Sequence, residues 1–283
     1  MNRRSIAFAV ALCGLFARPT AANGASLVVI GPGPQSLLYV TQDVDYHILD
    51  GTEIVSPSQT GPPDNSVVVT DAIEFRGGGH IRIDGGYFRG GDASYTANNG
   101  EVATVAAGAS LHLRQSSGEV YAGTFIGGEA TSMSQRGGTR GGGGLVLAES
   151  YIAIYGGYFE GGISTEPVLF GSGNVSVQEP AITAYSGSTI FMYGGHTNGD
   201  IELLPGATLN VYGADLLYDG STLSGRYING DSFSHSVSQL GGVVSLHFVV
   251  PEPSGGAITL GAMCAMFWRS RPHPRRRAAG VAA

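Results

Sequence analysis

Acid–base chemistry on a stacked β fold needs carboxylates that meet across neighbouring strands. The best placed here are Asp200 and Glu202, with Asp215 or Asp219 further along the chain. Polysaccharide lyases and hydrolases are built this way, but a lyase also needs cations to acidify the proton beside a uronate carboxylate. This chain has no lysine and few arginines outside its ends. A groove holding carboxylates together with arginine would favour such an enzyme, and a smooth groove a scaffold. The histidines, at positions 47, 80, 112, 196, 235, 247 and 273, are scattered, with no pair at helical metal-binding spacing, and no serine occupies a nucleophile elbow. Gly137-Gly-Thr-Arg-Gly-Gly-Gly-Gly144 lacks the lysine and hydroxyl of a phosphate loop and reads as a flexible loop between rungs. The only cysteines, Cys13 and Cys264, lie in the two terminal apolar runs, so neither disulfide nor thiolate chemistry is expected of the body. No catalytic residue, cofactor-binding residue, metal ligand or cofactor is assigned, and no enzymatic activity is expected.

Charge excludes a further class. Between Asn23 and Val250 there are 21 Asp and Glu against 7 Arg, a net of −14, which is unsuited to nucleic acid. The acidity serves solubility or a calcium-loaded surface, although neither a calcium nonapeptide repeat nor a helix-pair calcium loop is present.

The elements that would position any site come from an internal repeat. Gly187-Ser-Thr-Ile-Phe-Met-Tyr-Gly-Gly195 returns nineteen residues later as Gly206-Ala-Thr-Leu-Asn-Val-Tyr-Gly-Ala214. Ile152, Ile154, Tyr155 and Gly156 fit the same template two periods upstream, and Gly108-Ala-Ser-Leu-His-Leu113 and Gly78-Gly-His-Ile-Arg-Ile-Asp-Gly-Gly86 repeat it again. One alternating strand per unit of about twenty residues predicts an all-β parallel β-helix, or β-solenoid, with short glycine-rich corners. From about Val67 to Asp219 it should hold roughly eight rungs about 4.8 Å apart. Ile190 should point inward and Glu160 outward, and Tyr-Gly-Gly should turn the corner. Phe88, Phe125 and Phe159, each in a Gly-x-Phe-x-Gly-Gly segment, should stack at a corner, with Tyr87 and Tyr158 beside them available either for packing or for sugar stacking. The segment Pro167 to Pro180 reads as an irregular turn that doubles the spacing from Ile152 to Ile190.

The ends read as processing segments. Asn2-Arg3-Arg4, the apolar run Ile6 to Phe16 and Thr20-Ala21-Ala22 have the order of an export signal over residues 1–22. The divisions that follow are an N-terminal cap with first strands over 23–66, the solenoid body over 67–220, and terminal strands and cap over 221–249. A tail over 250–277 and six last residues, 278–283, complete the chain. In the tail, Pro251-Glu252-Pro253 precedes the largely apolar run Gly255 to Trp268, which is followed by Arg269, Arg271, Arg275, Arg276 and Arg277. This order closely resembles the PEP-CTERM sorting signal of exported bacterial proteins, and the resemblance is confined to the tail. It implies passage through the export translocon and transient inner-membrane anchoring. It also implies processing near Pro251-Glu252-Pro253 by an exosortase-type enzyme, and a final place at the cell surface or in the extracellular matrix of a Gram-negative bacterium that makes exopolysaccharide. Arginines retained on the cytoplasmic side obey the positive-inside rule. The expected function is structural or adhesive, with a polysaccharide-active β-helix enzyme or a polysaccharide-binding module as the alternatives.

Overall fold

The protein is seen in a computed structural model that describes residues 27–40, 44–61, 67–95, 102–134, 136–167 and 173–249. The segments read above as an export signal and a sorting tail lie outside the described residues. Every described element is a strand, and the strands stack as a β-solenoid.

Each rung runs over up to three faces. The first face is formed by Leu27–Ile30, Asp45–Ile48, His80–Ile83, Ser117–Val120, Tyr151–Ile154, Thr189–Met192, Thr208–Tyr218 and Val243–Phe248, each parallel to the next. The second runs from Gly33–Gln35 through Thr52–Val55, Tyr87–Arg89, Thr124–Ile126 and Tyr158–Glu160 to His196–Asn198. The third stacks Leu38–Val40, Ile73–Arg76, Leu111–Arg114, Leu145–Ala148, Ile182–Ala184, Ile201–Leu203 and Ser232–Gln239.

Alternation along each strand makes the core. On the first face Ile48, Ile83, Val120, Ile154, Met192 and Val211 succeed one another inward, and on the third Ile73, Leu111, Leu145, Ile182 and Ile201 do the same. Phe88, Phe125 and Phe159 are fully buried and stacked at 4.9 and 4.8 Å, on the second face itself, flanked by corners. Gly86, Gly123, Gly157 and Gly195 turn the corner before that face with φ between 100° and 124°, a region that side chains with a Cβ resist.

The rung count differs from expectation. Between Val67 and Asp219 the first face has five strands where eight are expected, because three of the four rungs that carry an arm fall within that span. Ile190 pairs directly with Leu209 nineteen residues on, but Ile152 also pairs directly with Ile190, thirty-eight residues on. The longer interval is one rung with an excursion and holds no hidden copy. Leu111 and Leu113, matched to the repeat by their alternation, belong to the third face, not the first.

The arm leaves after the second face as Gln59–Gly61, Ala93–Tyr95, Ala130–Ser132 and Ile163–Pro167. It returns as Val67–Val68, Val102–Ala106 and Arg136–Arg140. In the last armed rung Asn174–Gln178 folds back antiparallel on Ile163–Pro167, so the segment read as an irregular turn is largely a hairpin. The arm has its own small core of Val67, Val69, Ala93, Tyr95, Ala103, Val105 and Ala130.

Where arm meets body the backbones interleave. The N–H of Gly108 donates to the Gly91 carbonyl (3.0 Å), Gly128 to Gly108 (2.9 Å), Gly142 to Gly128 (2.8 Å) and Gly162 to Gly142 (2.7 Å). Outgoing and returning passes thus alternate in a single ladder that leaves no room for side chains. A Cβ on Gly142 would lie 1.8 Å from the Gly108 oxygen. This corrects the reading of Gly137 to Gly144 as a flexible loop: its first part is strand and its last four glycines are buried packing elements.

The two ends differ. Leu27–Ile30, Gly33–Gln35 and Leu38–Val40 are the terminal strands of their faces. At the other end Thr208–Tyr218 continues past the first face into an antiparallel pairing with Thr222–Tyr227, which pairs in turn with Ser232–Gln239 on the third face. This meander buries Leu216, Leu223, Tyr227, Phe233 and Val237 over the end of the core.

Candidate functional site

A cleft of about 360 Å³ lies between the outer side of the third face and the returning arm. Strand alternation turns Glu74, Arg76, His112 and Arg114 outward, and register places Glu74 beside His112 and Arg76 beside Arg114. Asp71, at the corner before, accepts the Ala109 N–H (2.6 Å) on Oδ1 and contacts His112 Nδ1 (2.8 Å) with Oδ2. Arg114 donates through Nε to His112 Nε2 (3.0 Å) and lies 3.7 Å from Glu74. Glu74 is also bound by Arg76, whose guanidinium sits 5.6 Å from the Tyr39 ring centre. From the arm, Arg140 donates to the Tyr185 hydroxyl (2.9 Å), and that bond raises the guanidinium above its usual range. Glu179 lines the same cleft.

This constellation can be tested against its chemistry. An arginine N–H can only donate, so Nε2 of His112 is the acceptor and the ring proton sits on Nδ1, toward Asp71. The lone pair that a general base would offer a substrate is therefore engaged. One ligand atom each from Asp71, Glu74 and His112 lie within 4.8 Å of one another, a spacing that suits a cation. Yet Arg76 and Arg114 already supply positive charge to Glu74, and a metal would have to displace both. As it stands the cluster is a self-compensating charge network around the mostly buried His112.

The carboxylates singled out in the sequence lie elsewhere. Glu202 projects from the third face between Thr183 and Ser238. Asp215 pairs with Arg226, and Asp219 caps the turn by accepting the N–H groups of Ser221 and Thr222 (2.9 and 2.7 Å), which hold its carboxyl below the usual range. Among the described residues no hydrogen bond or ion pair joins Asp200, Glu202, Asp215 and Asp219. Tyr87 and Tyr158 are separated by Thr124 on the second face, and the Tyr158 hydroxyl donates to Glu160 (3.0 Å).

Sequence reading missed a longer aromatic feature. Tyr121, Tyr155, Tyr193, Tyr212 and His247 stack along the edge of the first face with centroids 4.8, 5.0, 4.5 and 4.4 Å apart, and Arg82 lies over Tyr121 at 4.5 Å. Burial and the flanking tyrosines push the Tyr193 phenol well above its ordinary value. The signal is present in the repeated Tyr-Gly-Gly, whose tyrosine reads from sequence as part of a corner. Pro251, Glu252, Pro253, Arg269, Arg271, Arg275, Arg276 and Arg277, which the sequence reading assigns to sorting, lie outside the described residues.

Compared with protein-family models, curated proteins and solved structures, the chain matches none.

Proposed function

We propose that the protein is an exported, surface-sorted β-solenoid with a structural or adhesive role in the bacterial envelope or exopolysaccharide matrix, and no catalytic activity. The observation that carries this reading is the charge network of the cleft. Asp71, Glu74, His112, Arg76 and Arg114 bind one another, which suits a surface that must persist more than one that must exchange protons with a substrate. A stack locked by core columns, a stacked-ring edge and a backbone ladder at the arm is also what a durable scaffold needs. The tail supplies the address: an export translocon at entry and an exosortase-type enzyme at Pro251-Glu252-Pro253. Mass spectrometry of the mature protein from its host tests both ends together. A mature form beginning near Asn23 and ending near Pro253 is expected, whereas intact termini would overturn the sorted-surface reading.

One observation favours a second reading. The cleft is not smooth: Asp71 and Glu179 share it with Arg114 and Arg140, the combination expected of a polysaccharide-active enzyme. In that reading Arg140 and Arg114 would hold a uronate carboxylate and Tyr185 would take or give the proton. Release of unsaturated or reducing ends from alginate or pectate, lost in Arg140→Ala, would establish it.

A further inference from the structure

The outward side chains of the first face form a grid that opens at Ala153. Along Tyr151–Ile154 the outward position between Tyr151 and Tyr155 is Ala153, and its neighbours in the adjoining rungs are Glu119 and Phe191. At about 3.3 Å per residue and 4.8 Å per rung, one absent side chain leaves an opening about 13 Å long and 10 Å across between the flanking backbones. The resulting depression has a volume of about 500 Å³, within the range of small-ligand sites.

Its walls are not equivalent. Tyr155 is sandwiched between Tyr121 and Tyr193 in the ring stack, so it presents an edge and a hydroxyl. Tyr151 is 57% exposed, and its neighbours across the rungs are Ser117 and Thr189, too small to cover a ring face. The rim carries two carboxylates. Glu119 Oε2 accepts the Tyr121 hydroxyl (3.0 Å) and Glu149 Oε2 accepts the Gln115 amide (2.9 Å), leaving Oε1 of each without a protein partner among the described residues.

We propose that this depression is a binding site for a neutral hexose polysaccharide, with Tyr151 stacking against the apolar face of one sugar ring and Glu119 and Glu149 accepting its hydroxyls. An exposed ring face beside acceptor-only oxygens suits a ligand that is apolar on one side and rich in O–H donors on its edge. Two carboxylates on the rim of a body with a net charge of −14 repel a uronate polymer, which selects the neutral class. The inference rests on the adhesive reading above and names its partner. It uses a different surface from the cleft, and Ala153 is the residue that makes room.

Retention of the protein body in affinity electrophoresis through gels containing a soluble β-glucan, a mannan, a galactan or alginate tests it. Retardation by at least one neutral polymer and not by alginate is expected. Tyr151→Ala and Ala153→Leu should each weaken it tenfold or more with unchanged melting temperature, and Tyr87→Ala on the second face should leave it intact. Both first-face positions point outward, and a melting curve identifies any variant that fails to fold. If Ala153→Leu unfolds the body, Tyr151→Ala alone decides. No retardation by any neutral polymer, equal retardation of folded variants, or preference for alginate would overturn the proposal. Correct terminal processing with no glycan retention would sink this site and leave the surface-sorting reading standing.

Discussion

Ile190 and Glu160 show how one alternation separates core from surface. Ile190 is completely buried between Ile152 and Leu209, whereas Glu160 points outward and accepts hydrogen bonds from Tyr158 and Asn198 at the half-exposed rim (both 3.0 Å). A carboxylate at position 190 would find neither cation nor water, so Ile190→Asp should cost more than about 4 kcal/mol and abolish cooperative folding. Glu160→Ala should cost under about 1 kcal/mol, since the bonds it removes are open to solvent. Urea denaturation of the two variants checks this, and equal losses would mean the inside and outside of the strands are misassigned. At this scale the sequence was readable in part: the inward aliphatics fall where period-two reasoning puts them, and the three phenylalanines stack as their repeated segment suggests, but on the second face and not at a corner. The charged cluster was not, because Asp71 and His112 are 41 residues apart and meet only once a rung is known to carry an arm.

Among the elements, the plain rungs were legible and the armed ones were not, for a physical reason. An interval of thirty-eight residues fits two plain turns as well as one turn with an excursion, and the first and third faces share the same apolar alternation, so Gly108 to Leu113 matched a template from the wrong face. The closing meander at the C-terminal end was legible as terminal strands and a cap over 221–249, but not as antiparallel pairing, because the period fades after Ser221. Its chemistry gives a prediction. His235 is buried within it, with Nδ1 2.9 Å from the Thr197 hydroxyl, Nε2 2.6 Å from that of Tyr227, and the Phe233 ring stacked at 5.1 Å. Burial, assisted by His196, pushes its pKa down to about 4, while the unfolded chain titrates near 6.5. Protons therefore bind the unfolded state first. The stabilisation is fully present above pH 6.5 and is lost as pH falls from there to about 4, about 3 kcal/mol in all. Melting temperatures measured across that window should drop for the wild type. His235→Gln, less stable at pH 7, should show a flatter profile, because the buried proton acceptor is gone. A parallel slope in the variant would show that the acid sensitivity originates elsewhere.

For the whole molecule, the proposed surface sorting is tested at the tail. Pro251-Glu252-Pro253 should be gripped as an extended segment by a processing enzyme, because proline fixes φ and removes the N–H groups that would let the chain coil into a helix. The run from Gly255 to Trp268 is fourteen residues, shorter than the roughly 17–25 of a spanning helix, so orientation should depend heavily on the arginines that follow. Replacing Arg275, Arg276 and Arg277 with glutamate should remove the positive-inside bias and yield protein that is mis-inserted or slips through the membrane. Replacing Glu252 with alanine should leave insertion intact and stall processing, so that an unprocessed form accumulates in the inner membrane. The two failures differ in both size and fraction, and gel mobility with membrane fractionation in the native host separates them. If both variants release the same mature form as the wild type, the tail carries no address. Delivery would then rest on the N-terminal signal alone.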